Sequence, residues 1–204
     1  MNDQSHMLLQ LLHAIADEDK EAFNRLHQLY FIRLKRFAYS FLKQEELAEE
    51  ITSDLFIRIW LKKETLTKIE QPQIYLYKAI KNHCLNALKK TSNWKSEPIT
   101  EQDHDRASIG DSPMQRLENK ELMQYLDAII ATLPEQRRLI FRLVKEEGMK
   151  QKDVASLLDI SVRTVENQLY KAIKHLAEKV EDYLHKSPYP ELKNNRQQLL
   201  SLLF

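Results

Sequence analysis

Lys150-Gln-Lys-Asp-Val-Ala-Ser-Leu-Leu-Asp-Ile-Ser-Val-Arg-Thr-Val-Glu-Asn-Gln-Leu-Tyr-Lys-Ala-Ile-Lys174 decides the fold. It reads as two amphipathic helices joined by the short turn Asp159-Ile160-Ser161, a helix-turn-helix. In the second helix Val162, Val165, Leu169, Ile173, Leu176 and Val180 recur at steps of three and four residues, which puts them on one apolar stripe. The first helix turns Val154, Leu157 and Leu158 inward, and Ala155 is small enough to let the two helices cross closely. Ser161 stands where an N-cap belongs, so the second helix starts just before Arg163. Its outer face carries Arg163, Glu166, Asn167, Tyr170, Lys171 and Lys174, with Ser161 and Thr164 at its opening turn. Arg163 suits guanine, Asn167 adenine and Glu166 cytosine, while Lys171 and Lys174 suit phosphates. That division of labour is what a helix in the major groove needs, although which residue meets which base does not follow from sequence.

The rest of the chain fits an all-α protein. Its 204 residues hold 2 glycines and 6 prolines, a composition of long helices with few tight turns. The single cysteine, Cys84, excludes an intramolecular disulfide and points to a reducing, cytoplasmic setting. No signal peptide and no apolar run long enough for a membrane span is visible, so no membrane insertion is expected. The net charge of +1 is built from opposed blocks. Lys62 to Lys95 has eight lysines against two acids, Gln44 to Asp54 has five acids and no base, and Glu97 to Asp111 has five acids and one base. Opposed patches imply more than one charged partner.

Upstream, residues 1–16 read as a weak amphipathic helix. A second follows Asp17-Glu18-Asp19 with the seam Phe23, Leu26, Tyr30, Leu34, Phe37 and Phe41. A third carries Leu47, Ile51, Leu55 and Ile59, widened by Phe56 and Trp60. After the loop Thr65–Gln71, Pro72 opens a fourth, packed through Tyr77, Ile80, Cys84 and Leu88 and basic outside. The domain so formed covers 1–90. Residues 91–112 are polar, acidic and aperiodic, and read as a flexible linker. A second domain, 113–185, begins with a helix through Leu117, Leu122, Tyr125, Leu126 and Ile129. Pro134 opens the next, which buries Leu139, Ile140, Leu143 and Val144, with Gly148 at its end. The remainder, 186–204, ends in the apolar Leu199-Leu200-Ser201-Leu202-Leu203-Phe204; its role is open, as a docking segment or a disordered end.

With both halves in view, the chain resembles the sigma-70 family of RNA polymerase sigma factors, in its small two-domain extracytoplasmic-function (ECF) group. Asp54-Leu-Phe-Ile-Arg-Ile-Trp60 and Tyr75-Leu-Tyr-Lys-Ala-Ile-Lys-Asn82, followed by Leu85-Asn86, look like sigma region 2. Leu133-Pro-Glu-Gln-Arg-Arg-Leu-Ile-Phe141 and the helix-turn-helix look like region 4. The resemblance implies two helical domains, a region 2 bundle and a region 4 helix-turn-helix, and RNA polymerase core, promoter DNA and an anti-sigma factor as partners. The helix-turn-helix then meets the −35 element. Leu66, Lys68, Tyr75, Lys78, Lys81, Asn82, Asn86, Lys89 and Lys90 are the implied contacts with a melted −10 element, where a flipped base needs a pocket and a cationic track. Glu49, Glu50, Asp54 and Arg58 are the implied polymerase contacts, and Leu139, Phe141 and Leu143 a further contact with the polymerase flap. Tyr77 is expected in the core, and Trp60 in the core or the interface.

No catalytic constellation, Gly-rich phosphate loop or zinc-ligand spacing among the seven histidines is present, so no enzyme, cofactor, metal or small-molecule substrate is expected. Cys84 lies on an apolar seam as a structural thiol. Two other functions remain open from sequence: a stand-alone helix-turn-helix regulator of duplex DNA, and a helical protein–protein adaptor whose basic faces are only solvated.

Overall fold

The computed structural model describes the backbone of residues 3–92 and 125–186, and the side chains of 5–90 and 125–183. The described residues fall into two compact units, one on each side of the interval 93–124. Most of the stretch read as a linker, the helix start around Leu117 and Leu122, and the apolar end at 187–204 lie outside them. Among the described residues there is no strand.

The first unit is a four-helix arrangement: α1 (Asp3–Ala16), α2 (Lys20–Leu42), α3 (Glu45–Leu61) and α4 (Pro72–Ser92), with a 3-10 turn at Lys63–Lys68. The first helix is more than a weak amphipathic segment. Leu8, Leu12 and Ile15 are fully buried, each contributing roughly 1.5–3 kcal/mol. It closes on Glu18 in the left-handed conformation (φ 66°), with Glu18 N–H donating to Ile15 O (3.0 Å) and Asp19 N–H to Ala14 O (3.0 Å). Asp19 immediately becomes the N-cap of α2, where Oδ1 accepts from the N–H groups of Glu21 (2.8 Å) and Ala22 (3.0 Å). One residue thus ends one helix and starts the next.

Helix α2 is the spine, packed on α1, α3 and α4 through Leu26, Tyr30, Leu34, Phe37 and Ala38. It ends at left-handed Lys43 (φ 56°). Helix α3 inserts Ala48, Ile51, Leu55, Phe56 and Ile59; buried Thr52 satisfies its hydroxyl by donating to Ala48 O (2.7 Å). Pro72 is the first residue of α4, as its fixed φ and missing N–H favour. The α4 seam is Leu76, Tyr77, Ile80 and Cys84, with Tyr77 edge-on to Phe37 at 5.0 Å. Burial pushes the Cys84 thiol up to about 11, in keeping with a structural role. Leu88, expected on this seam, is exposed, because it lies one turn beyond the last buried position of α4. The helix continues to Ser92, into the first residues read as linker.

In the second unit, the described part of α5 (125–131) leads to α6 (Glu135–Phe141), which runs into a π turn at Arg142–Glu146. Gly148 (φ 64°) reverses the chain into α7 (Gln151–Leu158). Asp159, left-handed at φ 55°, turns it again into α8 (Val162–Lys186). The long helix packs on α6 and α7 through Val165, Leu169, Ala172, Leu176 and Val180. Two details correct the sequence reading. Val162 is 42% exposed, since the first helical residue precedes the turn that meets α7. Ala172 is fully buried while Ile173 is only half-buried beside it. Tyr125 stacks on Tyr183 (4.1 Å), and its hydroxyl donates to Lys179 O (2.8 Å), fastening α5 to the distal part of α8. Phe141 and Leu143 are buried core, which removes them as surface contacts for a polymerase flap.

Candidate nucleic-acid and polymerase surfaces

The recognition face begins with its cap. Ser161 Oγ accepts from Thr164 N–H (3.0 Å) and lies 2.8 Å from Thr164 Oγ1, so both side chains are engaged in starting α8. Beyond them Arg163, Glu166, Asn167, Tyr170, Lys171 and Lys174 are all exposed, Tyr170 by 68%. Arg163, Asn167, Tyr170 and Lys174 follow steps of four, three and four residues and form one outward stripe, about 16 Å long at 1.5 Å per residue. Two side-chain contacts that the sequence does not foretell flank it. Arg137 Nε donates to Gln168 Oε1 (3.1 Å), and Thr132 Oγ1 lies 3.2 Å from His175 Nε2. These bonds tie the side of α8 to α6 and to the turn before it. The signal for Arg137 was the paired arginines after Pro134, but its partner lies 31 residues on.

On α4, Tyr75, Lys78, Asn82, Asn86, Lys89 and Lys90 are exposed and Lys81 is half-buried. Tyr75, Lys78, Asn82 and Lys89 share one side of the helix, with exposed Leu85 among them. Tyr77 is core, as expected. The loop ahead of α4 departs from expectation. Residues Lys63–Lys68 form the 3-10 turn, in which Thr65, Thr67 and Lys68 are exposed but Leu66 is fully buried. Leu66 therefore cannot face a base here; its side chain anchors the turn, which packs against α1.

On α3, Glu49, Glu50, Asp54 and Arg58 are exposed. Glu49 is not a free acid: Lys35 Nζ bridges Glu49 Oε2 and Glu45 Oε1, both at 2.9 Å. Hydrogen bonds to Glu49 and then Glu45 raise the Lys35 ammonium above its ordinary value. Glu50, Asp54, Ile57 and Leu61 follow steps of four, three and four residues and form an outward stripe beside Arg58. Ile57 (55% exposed) and Leu61 (69%) were missed, because the period of a helix does not say which of two apolar stripes faces the core. Half-buried His83 of α4 feels the same face: burial first, then Arg58, lower it below its ordinary value, against an opposing pull from Asp54. Trp60 is half-buried, edge-on to Phe23 (5.2 Å), with the Lys63 ammonium 5.6 Å from its ring centroid.

Among the described residues no group of three or more His, Cys, Asp or Glu is placed to hold a metal ion. None of the described helices is long and apolar enough to cross a membrane.

The family model for Sigma-70 region 2 matches residues 26–93, and that for Sigma-70, region 4 matches residues 123–176. The ECF RNA polymerase sigma-E factor of Haemophilus influenzae is 22% identical over 178 residues, 84% of this chain and 94% of that protein. The ferric citrate uptake sigma factor FecI of Escherichia coli is 26% identical over 130 residues, 63% of this chain and 73% of that protein. The ECF RNA polymerase sigma factor SigE of Mycolicibacterium smegmatis is 25% identical over 158 residues, 76% of this chain and 58% of that protein. The solved structure of CnrH in complex with the cytosolic domain of CnrY aligns with a TM-score of 0.46 at 19% identity, over 86% of this chain and 98% of that one. With region 2 and region 4 matched in this order over more than half of its length, the chain belongs to the sigma-70 family, in its ECF group.

Proposed function

We propose that the chain is an alternative sigma factor that binds core RNA polymerase, reads −35 and −10 promoter elements and opens the DNA. The observation that carries this reading is the presence, on one chain, of region 2 and region 4, each with an exposed cationic helix face. In this reading α8 enters the major groove of the −35 element. Arg163, Glu166 and Asn167 meet base edges there, and Lys171 and Lys174 hold phosphates. The −10 strand follows α4: Tyr75 offers a stacking surface, Asn82 and Asn86 offer amides, and Lys78, Lys81, Lys89 and Lys90 line the backbone, with Lys68 at the turn. Polymerase binds the α3 stripe, where Asp54 and Arg58 flank apolar Ile57. Glu50 belongs to that contact, whereas Glu49 contributes through its bridge to Lys35.

Bond formation belongs to the polymerase, and this chain needs no catalytic group, cofactor or small-molecule substrate of its own. It acts in the cytoplasm. An anti-sigma factor is the remaining partner, holding the protein inactive by covering surfaces that polymerase uses; exposed Ile57 and Leu61 give such a clamp an apolar grip. The test is to add the purified chain to sigma-free core polymerase on fragmented genomic DNA and map transcript starts. Discrete starts that share two upstream elements are expected. Stable duplex binding without polymerase, and no starts with it, would instead favour a stand-alone regulator.

A further inference from the structure

Helix α1 lies outside the matched region 2, which begins at residue 26. Yet it packs extensively on the 3-10 turn Lys63–Lys68. Four observations bear on that contact. Leu66, the apolar centre of the turn, has no accessible surface, and neither have Leu8, Leu12 and Ile15 of α1. The neighbours of Leu66, Thr65 and Thr67, and then Lys68, are exposed. Glu18, at the end of α1, carries its carboxylate to Lys63 Nζ at 3.5 Å, at the start of the same turn. The end of α1 is itself fixed by the double closure at Glu18 and Asp19, which runs straight into the α2 cap.

A 3-10 turn is short and makes poorer hydrogen bonds than an α-helix, so tertiary contacts decide how firmly it is held. Here those contacts come mainly from α1. We infer that Leu66 is a positioning residue: seated against α1, it fixes the exposed Thr65, Thr67 and Lys68 so that the turn distinguishes bases of the −10 element. The inference rests on the proposed reading of the turn as part of the −10 surface. Its physical content is preorganisation. Polar groups held in place before the strand arrives discriminate between bases, whereas the same groups on a loose turn adapt to any base.

The test uses the full chain with core polymerase on promoters varied singly at each −10 position and, separately, at each −35 position. Leu66→Ala should lower −10 discrimination about fivefold, within the range one coupled position carries. Core polymerase affinity and −35 discrimination should stay at parental values, and Leu66→Met, which refills the volume, should restore the −10 preference. Glu18→Gln, a surface change, should act in the same direction by about twofold. Should Leu66→Ala fail to fold, Leu66→Val is read the same way. Unchanged −10 discrimination in the folded Leu66 variants overturns the inference, as does a loss shared equally by −10, −35 and polymerase binding, which would mark a purely structural residue. A parent chain with no −10 preference at all is a different result: it removes the sigma reading itself.

Discussion

Along α8 the outward stripe runs Arg163, Asn167, Tyr170, Lys174; along α4 it runs Tyr75, Lys78, Asn82, Lys89. Both combine two cations, an amide and a tyrosine at helical spacing. What separates them is acid. Helix α4 has none between Pro72 and Ser92, whereas α8 places Glu166 beside its stripe and Glu178, Glu181 and Asp182 further along. A carboxylate in the major groove has a use, since it accepts from cytosine while the phosphates stay at the groove walls. On a track that follows a single strand it would face phosphates directly and repel them. Cations, an amide and a tyrosine thus suit duplex or strand according to the charge that surrounds them.

The largest effect is expected when α4 is given an acid. Asn82→Asp should weaken open-complex formation by on the order of 3 kcal/mol through like-charge repulsion. The matching Asn167→Asp should shift −35 preference from adenine toward cytosine while leaving melting intact. Permanganate footprinting with a −35 mutant promoter panel reads both, and equal losses of melting in the two variants would remove the distinction. Next in size, Arg163→Ala should cost about 1–3 kcal/mol of −35 discrimination and none at −10. A uniform loss over all promoter variants would make Arg163 a phosphate contact.

Salt dependence separates the two helices more finely. With polymerase present, Lys171→Ala should reduce the slope of log affinity against log salt on duplex −35 DNA by about 0.9, and Lys78→Ala should reduce it on −10 single strand by about 0.7. Identical decrements would mean both helices meet the same form of DNA. The smallest expected effect separates the two units by pH. The Cys84 thiol ionises from about 9.0 when unfolded but only near 11 when folded, so the folded state holds the proton longer and stability falls as pH rises through that window. In the second unit burial, and then Asp182, raise Tyr125 from its ordinary 10.0, so its stability should begin to fall only at higher pH. Chemical denaturation at several alkaline pH values, followed through Trp60 emission in a Trp94→Phe background for the first unit and far-ultraviolet dichroism for both, should show the first unit weakening earlier. Cys84→Ala should erase that lead.

The helix-turn-helix, the Ser161 cap, the Pro72 start and the cores of α2 to α4 were legible because each is written in local spacing and cap chemistry. The misses share another cause. Leu66 sits in a stretch without period, and it is buried where the turn packs against α1. Ile57 and Leu61 look like core residues in sequence and are exposed because α2 and α4 pack on the other side of α3. Ala172 displaces Ile173 from the seam of α8. Arg137 and Gln168 are linked only by the fold. In each case the deciding partner lies on another helix, where periodicity carries no information.

Glu18, Lys43 and Asp159 turn three helices in left-handed conformations that most chains assign to glycine, and this one holds only 2 glycines. A side chain in that region strains the folded backbone by roughly 1–2 kcal/mol. It also narrows the unfolded ensemble, by an amount worth about 0.4–1 kcal/mol relative to glycine. Exchange for glycine at Lys43 or Asp159 relieves the first effect and gives up the smaller second one, for a net gain of up to about 1 kcal/mol. The angle at which α3 follows α2, or α8 follows α7, can therefore loosen without a loss of stability. Promoter preference has room to drift at these hinges without the protein becoming less stable.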